Sequence, residues 1–197
     1  MKFFTLVALL GLSTISSMAT IVNYDTTGST LCPTAAACGA STTVIIGQVR
    51  VDFTVLPNAQ VVATPTSFGS FGEIRISCLA FASTDCLSQD LTGLTLNIKV
   101  TQSTPTGGVG NIAAGTISGS MSGQASSASI TWPAANSTTI GLVTYSVLNN
   151  PLGLVPPTTN AGVTSVQARI TVIPEPATYA MLGSALVAFG LLRRRKA

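Results

Sequence analysis

Side chains suited to catalysis are scarce in this sequence. The chain contains no histidine, which removes the most common general base and the Ser-His-Asp and Cys-His arrangements for nucleophilic catalysis. Asp85 and Asp90 are close in sequence, and a carboxylate pair there would suit a glycosidase or a calcium-binding loop. A solvated loop explains the same two acids. We therefore expect no enzymatic activity, no catalytic residues and no metal or other cofactor.

Two features could instead bind a ligand without chemistry. Trp132 is the only tryptophan and alternates with Ala128 and Ile130. If exposed it could stack on a sugar ring, whereas at a strand end it would belong to the core. The segment 112–129 is rich in small residues and serine, and it suggests either an edge hairpin or a flat hydroxyl-bearing surface for sugar or ice. Trp132 is thus the candidate ligand contact.

The N-terminus has the pattern of a secretory signal peptide at residues 1–19. Lys2 provides the positive charge, an apolar core follows, and Ser17 and Ala19 are small residues at the positions that a signal peptidase reads. Cleavage between Ala19 and Thr20 would leave a body of residues 20–173.

The C-terminal segment 174–197 combines three elements in a fixed order. Pro174-Glu175-Pro176 is expected to be extended, because proline lacks an N–H and restricts the residue before it. The uncharged residues 177–192 would form a transmembrane helix about 24 Å long, slightly short of the hydrocarbon thickness. A basic end follows and would stay in the cytoplasm under the positive-inside rule. It consists of Arg193, Arg194, Arg195 and Lys196.

These elements, with a signal peptide at the other end of the chain, resemble the PEP-CTERM sorting signal of Gram-negative bacteria. The resemblance is confined to the tail. It implies recognition by an exosortase, a membrane-embedded cysteine transpeptidase, and cleavage near Pro174-Glu175-Pro176. It also implies a transient anchor in the inner membrane and delivery to the cell surface or to exopolysaccharide. Some ice-binding proteins carry the same tail, so it indicates a route and not an activity.

The body between the two ends is predicted to be mainly β. Apolar residues alternate with polar ones along several short segments, and turn-forming residues separate them. Such spacing favours an antiparallel β-sandwich with Greek-key order, flanked by the signal-peptide helix and the transmembrane helix. The clearest alternating segments are 49–55, 94–100 and 166–172.

The body carries little charge. The whole chain is formally +3, but residues 20–173 contain four cations and five acidic residues, a net charge of −1. The basic character therefore belongs to the targeting ends, and no nucleic-acid partner is implied.

Four cysteines form two local pairs in the body. Cys32 and Cys38 enclose five residues, and Cys78 and Cys86 enclose seven. An even number of cysteines in an exported chain indicates disulfides, and four cysteines allow three pairings. We favour 32–38 and 78–86 because each pair can close a loop or hairpin. Zinc is the alternative, but the missing histidine and the spacing argue against it.

The sequence therefore predicts an exported surface or extracellular-matrix protein without enzymatic activity, processed at its tail by an exosortase. The alternative is a polysaccharide- or ice-binding β module delivered by the same tail. Expected partners are the signal peptidase, the exosortase, the inner membrane during transit, and exopolysaccharide.

We expect two disulfides in the mature protein, because export places all four cysteines in an oxidising compartment. In the chain-entropy model, each small loop would stabilise the fold by about 2–2.5 kcal/mol. Thiol labelling of the denatured, unreduced protein from the cell surface should find no reactive cysteine. Four reactive thiols would contradict the pairing.

Overall fold

A computed structural model of the chain describes residues 19–33, 39–80, 84, 86–173, 183, 185 and 186. Within these residues the alternating segments form strands, because period-two alternation lets one side of each strand face a core. The strands are β1 (Thr20–Asp25), β2 (Thr30–Cys32), β3 (Thr43–Ile46), β4 (Val49–Thr54), β5 (Ala59–Ala63), β6 (Thr66–Cys78), β7 (Gln89–Asp90), β8 (Thr95–Thr104), β9 (Gly108–Ser118), β10 (Ser120–Met121), β11 (Ser129–Thr131), β12 (Ser137–Ile140), β13 (Val143–Val147), β14 (Leu152–Gly153) and β15 (Val163–Val172). A short 3-10 helix, Asn160–Gly162, precedes β15.

The strands form two larger antiparallel sheets and one two-stranded sheet. The first sheet has the order β14-β11-β9-β8-β1-β5, and β2 also pairs with β8. The second sheet has the order β12-β13-β15-β6-β4-β3, and β7 pairs with β10. The chain crosses repeatedly between the sheets, since β4 and β6 are neighbours in the second sheet while β5 lies in the first. The predicted mainly β, antiparallel, sandwich-like architecture is confirmed, and Greek-key order stays a prediction.

The core consists of the apolar residues that alternation points inward from both sheets. Val49, Val51 and Phe53 of β4 are buried, and so are Leu96 and Ile98 of β8. Their polar neighbours along the strands are more exposed. The buried residues of the two sheets form one continuous apolar cluster, as expected for a single domain of this size.

Two tyrosines join the sheets through the core. Tyr24 of β1 and Tyr145 of β13 meet edge to face, with ring centroids 5.5 Å apart. The Tyr24 hydroxyl donates to the Ser70 carbonyl at 2.6 Å. The Tyr145 hydroxyl donates to Oε1 of buried Gln102 at 2.7 Å, and Gln102 Nε2 donates to the Thr106 carbonyl. Each buried polar group in this contact therefore has a partner, as burial requires.

A β-bulge interrupts β6 where it pairs with β15. Ser70 and Gly72 oppose consecutive residues of β15, so Phe71 is the extra residue. The hydroxyl of buried Thr26 donates to the Phe71 carbonyl at 2.9 Å. Gly72 has a φ of 132°, a conformation essentially restricted to glycine. The bulge reverses the alternation along β6, which leaves Phe71 fully buried and Phe68 63% exposed.

The segment 112–129 is not an edge hairpin. It begins within β9, which lies between β8 and β11 in the first sheet, and it continues through β10, which pairs with β7. The small residues of this segment allow close packing, as at Gly115, where an added Cβ would collide with the Trp132 indole.

Of the predicted signal-peptide helix, only Ala19 lies within the described residues, and it is not helical. Of the predicted transmembrane helix, only Gly183, Ala185 and Leu186 are described, and these three are helical. Among the residues described, there is no helix whose length and apolar character would let it cross a membrane.

The paired tyrosines should make the protein sensitive to alkali. Burial raises the pKa of Tyr24 to about 12 from an ordinary value of 10.0. Burial, together with the charge of ionised Tyr24, also raises the pKa of Tyr145. Between pH 10 and 12 the unfolded chain releases its phenolic protons first, so the free energy of unfolding should fall as pH rises.

Urea unfolding at pH 8, 10 and 11.5 measures this loss. Tyr24→Phe should be less stable at pH 8 by about 1–3 kcal/mol, because the Ser70 carbonyl loses its donor. The same variant should lose less stability between pH 10 and 11.5 than the parent chain. An equal decline in both proteins would contradict the assignment to Tyr24.

Candidate functional site

The predicted signal-peptidase site lies at the first strand. Thr20 is the first residue of β1 and pairs with Ala63, and Ala19 is exposed immediately before it. Cleavage between Ala19 and Thr20 would therefore leave β1 intact. The other predicted targeting residues lie outside the described residues, and their roles stay predictions. They are Pro174, Glu175, Pro176, Arg193, Arg194, Arg195 and Lys196.

One of the two predicted disulfides is confirmed. Cys78, the last residue of β6, is bonded to Cys86, with Cα atoms 5.8 Å apart. The bond links the end of β6 to the segment before β7. Cys32 is also disulfide-bonded, but its predicted partner Cys38 lies outside the described residues, so the 32–38 pairing stays a prediction.

The carboxyl group of Asp90, the last residue of β7, stabilises the turn that follows the strand. The backbone N–H of Thr92 donates to Asp90 Oδ1 at 2.9 Å. Hydrogen bonds from Thr92 hold the pKa of the exposed Asp90 carboxyl below its usual range, so Asp90 stays ionised near neutral pH and is poorly suited to act as a general acid. Asp85, its proposed partner, lies outside the described residues. No cluster of metal-binding side chains occurs in the part of the chain that the structure describes.

Trp132 is a core residue, and its assignment as a ligand contact is wrong. The side chain is 2% exposed, and its indole covers Gly115 of β9. Its backbone N–H donates to Asn150 Oδ1 at 3.0 Å, and its carbonyl accepts from Asn150 Nδ2 at 2.8 Å. A ring enclosed in this way cannot stack on a sugar. The inward alternation of Ala128, Ile130 and Trp132 decided its position.

A row of threonines crosses the outer face of the second sheet. Thr139 pairs with Thr144, Thr144 with Thr171, and Thr171 with Thr66, so four adjacent strands each contribute one residue. The hydroxyls of Thr139 and Thr144 are 3.0 Å apart, and those of Thr66 and Thr171 are 3.3 Å apart. Because paired strands lie about 4.8 Å apart, this threonine row presents methyl and hydroxyl groups at regular intervals.

A shallow hollow lies next to the threonine row on the same face. It has a volume of about 400 Å³ and is lined by Phe68, Gly69, Leu148 and Gln167. Asn149 Nδ2 donates to Gln167 Oε1 at 3.3 Å. The hollow is thus an open depression that exposes one aromatic ring, one aliphatic side chain and one side-chain amide. We call it the Phe68 hollow.

Phe68 was not among the residues that the sequence singled out, and simple alternation would not have found it. Ile74 and Ile76 point inward, and an unbroken period of two would place Phe68 inward with them. The bulge reverses this. The glycines on either side of Phe71, at 69 and 72, were the available signal, since a glycine within a strand often marks a bulge.

The Phe68 hollow has a positive charge beside it. Arg169 pairs with Phe68 across the sheet and is exposed on the same face. Among the described residues, Arg50 and Asp52 of β4 form a salt bridge, whereas Arg169 has no acidic partner. Glu73 is opposite Ser165, four residues along β15 from Arg169, or about 13 Å at the rise of a strand.

Comparison with known families decides the identity of the tail. Residues 172–196 match the family model described as the PEP-CTERM protein-sorting motif. The tail is a PEP-CTERM sorting motif. No curated protein and no solved structure matches the chain. The resemblance stated from the sequence is therefore confirmed for the tail.

The PEP-CTERM motif implies an exported protein with a membrane-anchored sorting tail that an exosortase processes. The match begins at Val172, the last residue of β15. Ile173 is still attached to the body, since its N–H donates to the Leu142 carbonyl at 2.8 Å. The sorting motif therefore begins where the second sheet ends, at a strand that lies between β13 and β6.

Gly72→Ala should destabilise the fold by about 3 kcal/mol or more, because the new Cβ would meet the Thr54 carbonyl and the φ of 132° disfavours alanine. Chemical unfolding measures the change. Gly153→Ala is the matched control: it also lies in a strand, but nothing lies within 4 Å of the added Cβ, so its effect should stay within about 0.5 kcal/mol. Equal effects would contradict the constrained bulge.

Proposed function

We propose that this chain is an exported surface or extracellular-matrix protein of a Gram-negative-type bacterium, without enzymatic activity of its own. An exosortase processes its tail near Pro174-Glu175-Pro176. The observation that carries the proposal is the PEP-CTERM match at residues 172–196, directly after the last strand of a β-rich body. The N-terminal secretory pattern at residues 1–19 supports export independently.

The proposed route has three steps. Signal peptidase cuts between Ala19 and Thr20, and the body folds in an oxidising compartment where the Cys78–Cys86 disulfide can form. The apolar stretch 177–192 holds the chain in the inner membrane, with the basic residues after it in the cytoplasm. The exosortase then cuts near Pro174-Glu175-Pro176 and releases the body to the surface or to exopolysaccharide.

The position of the tail suits such cleavage. The hydrogen bond from Ile173 to Leu142 is the last that ties the described body to its C-terminal end. The two prolines that follow disfavour both helix and central strand. A processing enzyme could therefore bind this segment without unfolding β15.

A second candidate function is a polysaccharide- or ice-binding module delivered by the same tail. The threonine row favours it, because four adjacent strands present threonine in register on one exposed face. Hydroxyl and methyl groups at regular intervals are suited to an extended or repeating ligand. A thermal-hysteresis assay tests the ice form, and no hysteresis from folded protein would remove it.

Processing should depend on the Pro-Glu-Pro segment and on the exosortase. In a strain with an active exosortase, mass spectrometry should find a mature chain that starts at Thr20 and lacks the basic end. The double substitution Pro174→Ala and Pro176→Ala should leave the tail attached, because it removes the residues that keep the segment extended.

The matched control is Pro156→Ala with Pro157→Ala, since this pair lies in a loop of the body. It should be processed like the parent chain. Deleting the exosortase should retain the tail in all variants. A parent chain that keeps its basic end in exosortase-competent cells would contradict the proposal.

A further inference from the structure

We propose that the Phe68 hollow is a binding site for an acidic polysaccharide, with Phe68 as the stacking surface and Arg169 as the partner of a sugar carboxylate. This inference gives a ligand class to the second candidate function. It does not depend on processing of the tail, so the two proposals can fail separately.

Phe68 is exposed at the edge of a concave surface. Isolated apolar side chains on a surface are ordinary, but this ring borders a hollow of about 400 Å³ and is 63% exposed. The bulge turns Phe68 toward solvent and Phe71 into the core. The negative face of an aromatic ring attracts the polarised C–H groups of a sugar, so the ring offers a stacking surface beside a concave site.

Gln167 lines the hollow, and its side-chain amide is paired with that of Asn149. The hydrogen bond from Asn149 Nδ2 to Gln167 Oε1 orients both side chains. Neither the Gln167 Nε2 nor the Asn149 Oδ1 makes a further hydrogen bond to another described residue. The Gln167 NH₂ group can therefore donate to a ligand and the Asn149 Oδ1 can accept from one, and sugar hydroxyl groups can satisfy both.

Arg169 gives the site a positive charge. Arg169 lies beside Phe68 in the register, and Glu73 is about 13 Å away along the strand direction. A guanidinium that has no acidic partner in the described part of the chain favours an anionic ligand. It can bind a carboxylate through two parallel hydrogen bonds. A neutral sugar would leave this charge unused, so we commit to an acidic one.

The register also favours a polymer over a single sugar. Ser137, Ser146, Arg169 and Phe68 lie opposite one another on four adjacent strands, which extends the site across about 14 Å of sheet. The threonine row runs parallel to it, two residues along each strand.

The test uses the full chain in detergent, with the basic end neutralised so that the tail does not itself bind a polyanion. The four background substitutions are Arg193→Gln, Arg194→Gln, Arg195→Gln and Lys196→Gln. Binding to polygalacturonate and to neutral dextran is measured by biolayer interferometry at low and at high salt. The site variants are Phe68→Ala and Arg169→Gln.

Two matched controls lie on the same outer face. Ile45→Ala removes an apolar side chain that is 57% exposed, and Arg75→Gln removes an exposed cation away from the hollow. Both site variants should fold normally, because Phe68 and Arg169 are exposed. Circular dichroism and thermal melting verify this for every variant.

We expect Phe68→Ala and Arg169→Gln each to weaken polygalacturonate binding at least about fivefold, with the controls within about twofold. Arg169→Gln should also reduce the salt dependence of binding. No binding by the folded parent chain, an equal loss in the controls, or equal affinity for dextran would each overturn the proposal.

Discussion

The bulge in β6 is the constraint on which the rest of this fold depends. An extra residue in one strand leaves backbone groups without partners in the adjacent strand, and buried backbone groups need partners. Here the opposite sheet supplies them: Tyr24 donates to the Ser70 carbonyl, and Thr26 donates to the Phe71 carbonyl. A local irregularity in the second sheet is thus satisfied by the first, and the two sheets are held in one relative position.

Thr26 extends this link into the adjoining loop. Its backbone N–H donates to the Leu56 carbonyl, and its hydroxyl accepts from the Leu56 N–H. On the other side of the tyrosine contact, Tyr145 donates to Gln102, which is fixed by Thr106. The polar groups of Tyr24, Thr26, Gln102 and Tyr145 are therefore all paired, whereas Thr95 Oγ1 and Trp132 Nε1 are buried elsewhere without a partner among the described residues. This matters for a body that has few charged side chains and only modest apolar ones, because an unpaired group there would cost about 1–3 kcal/mol.

The same bulge directs two phenylalanines of β6 to opposite sides of the sheet. Phe71 fills the core, and Phe68, three residues earlier, reaches solvent beside Arg169. The outer face of the second sheet thereby combines the threonine row, the Phe68 hollow and Arg169, which has no acidic partner among the described residues. The strand that ends at the sorting motif, β15, contributes Thr171, Arg169 and Gln167 to this face. The anchoring end of the body and its proposed binding face therefore share a strand.

The sequence by itself determined two kinds of feature. The first is a motif that another protein recognises in an extended segment, and the second is structure that depends only on a local residue pattern. Pro174-Glu175-Pro176, the apolar stretch and the basic end identified the sorting route without any fold, because the residues that carry it are contiguous. Period-two alternation likewise identified β4, β8 and β15. It also gave Trp132 the alternative of a core position at a strand end. The spacing of Cys78 and Cys86 indicated a disulfide that closes a short loop. In each case the physical cause acts over a few residues.

Only the tertiary structure decided what the outer face contains. Thr66 and Thr171 become neighbours because β6 pairs with β15, and alternation specifies which side of a strand is buried but not which distant strand lies beside it. A period of two by itself would point Phe68 inward. The bulge that exposes it is stabilised by Tyr24 and Thr26, which lie in or next to a strand of the other sheet. A register set by non-local contacts cannot be read from local spacing.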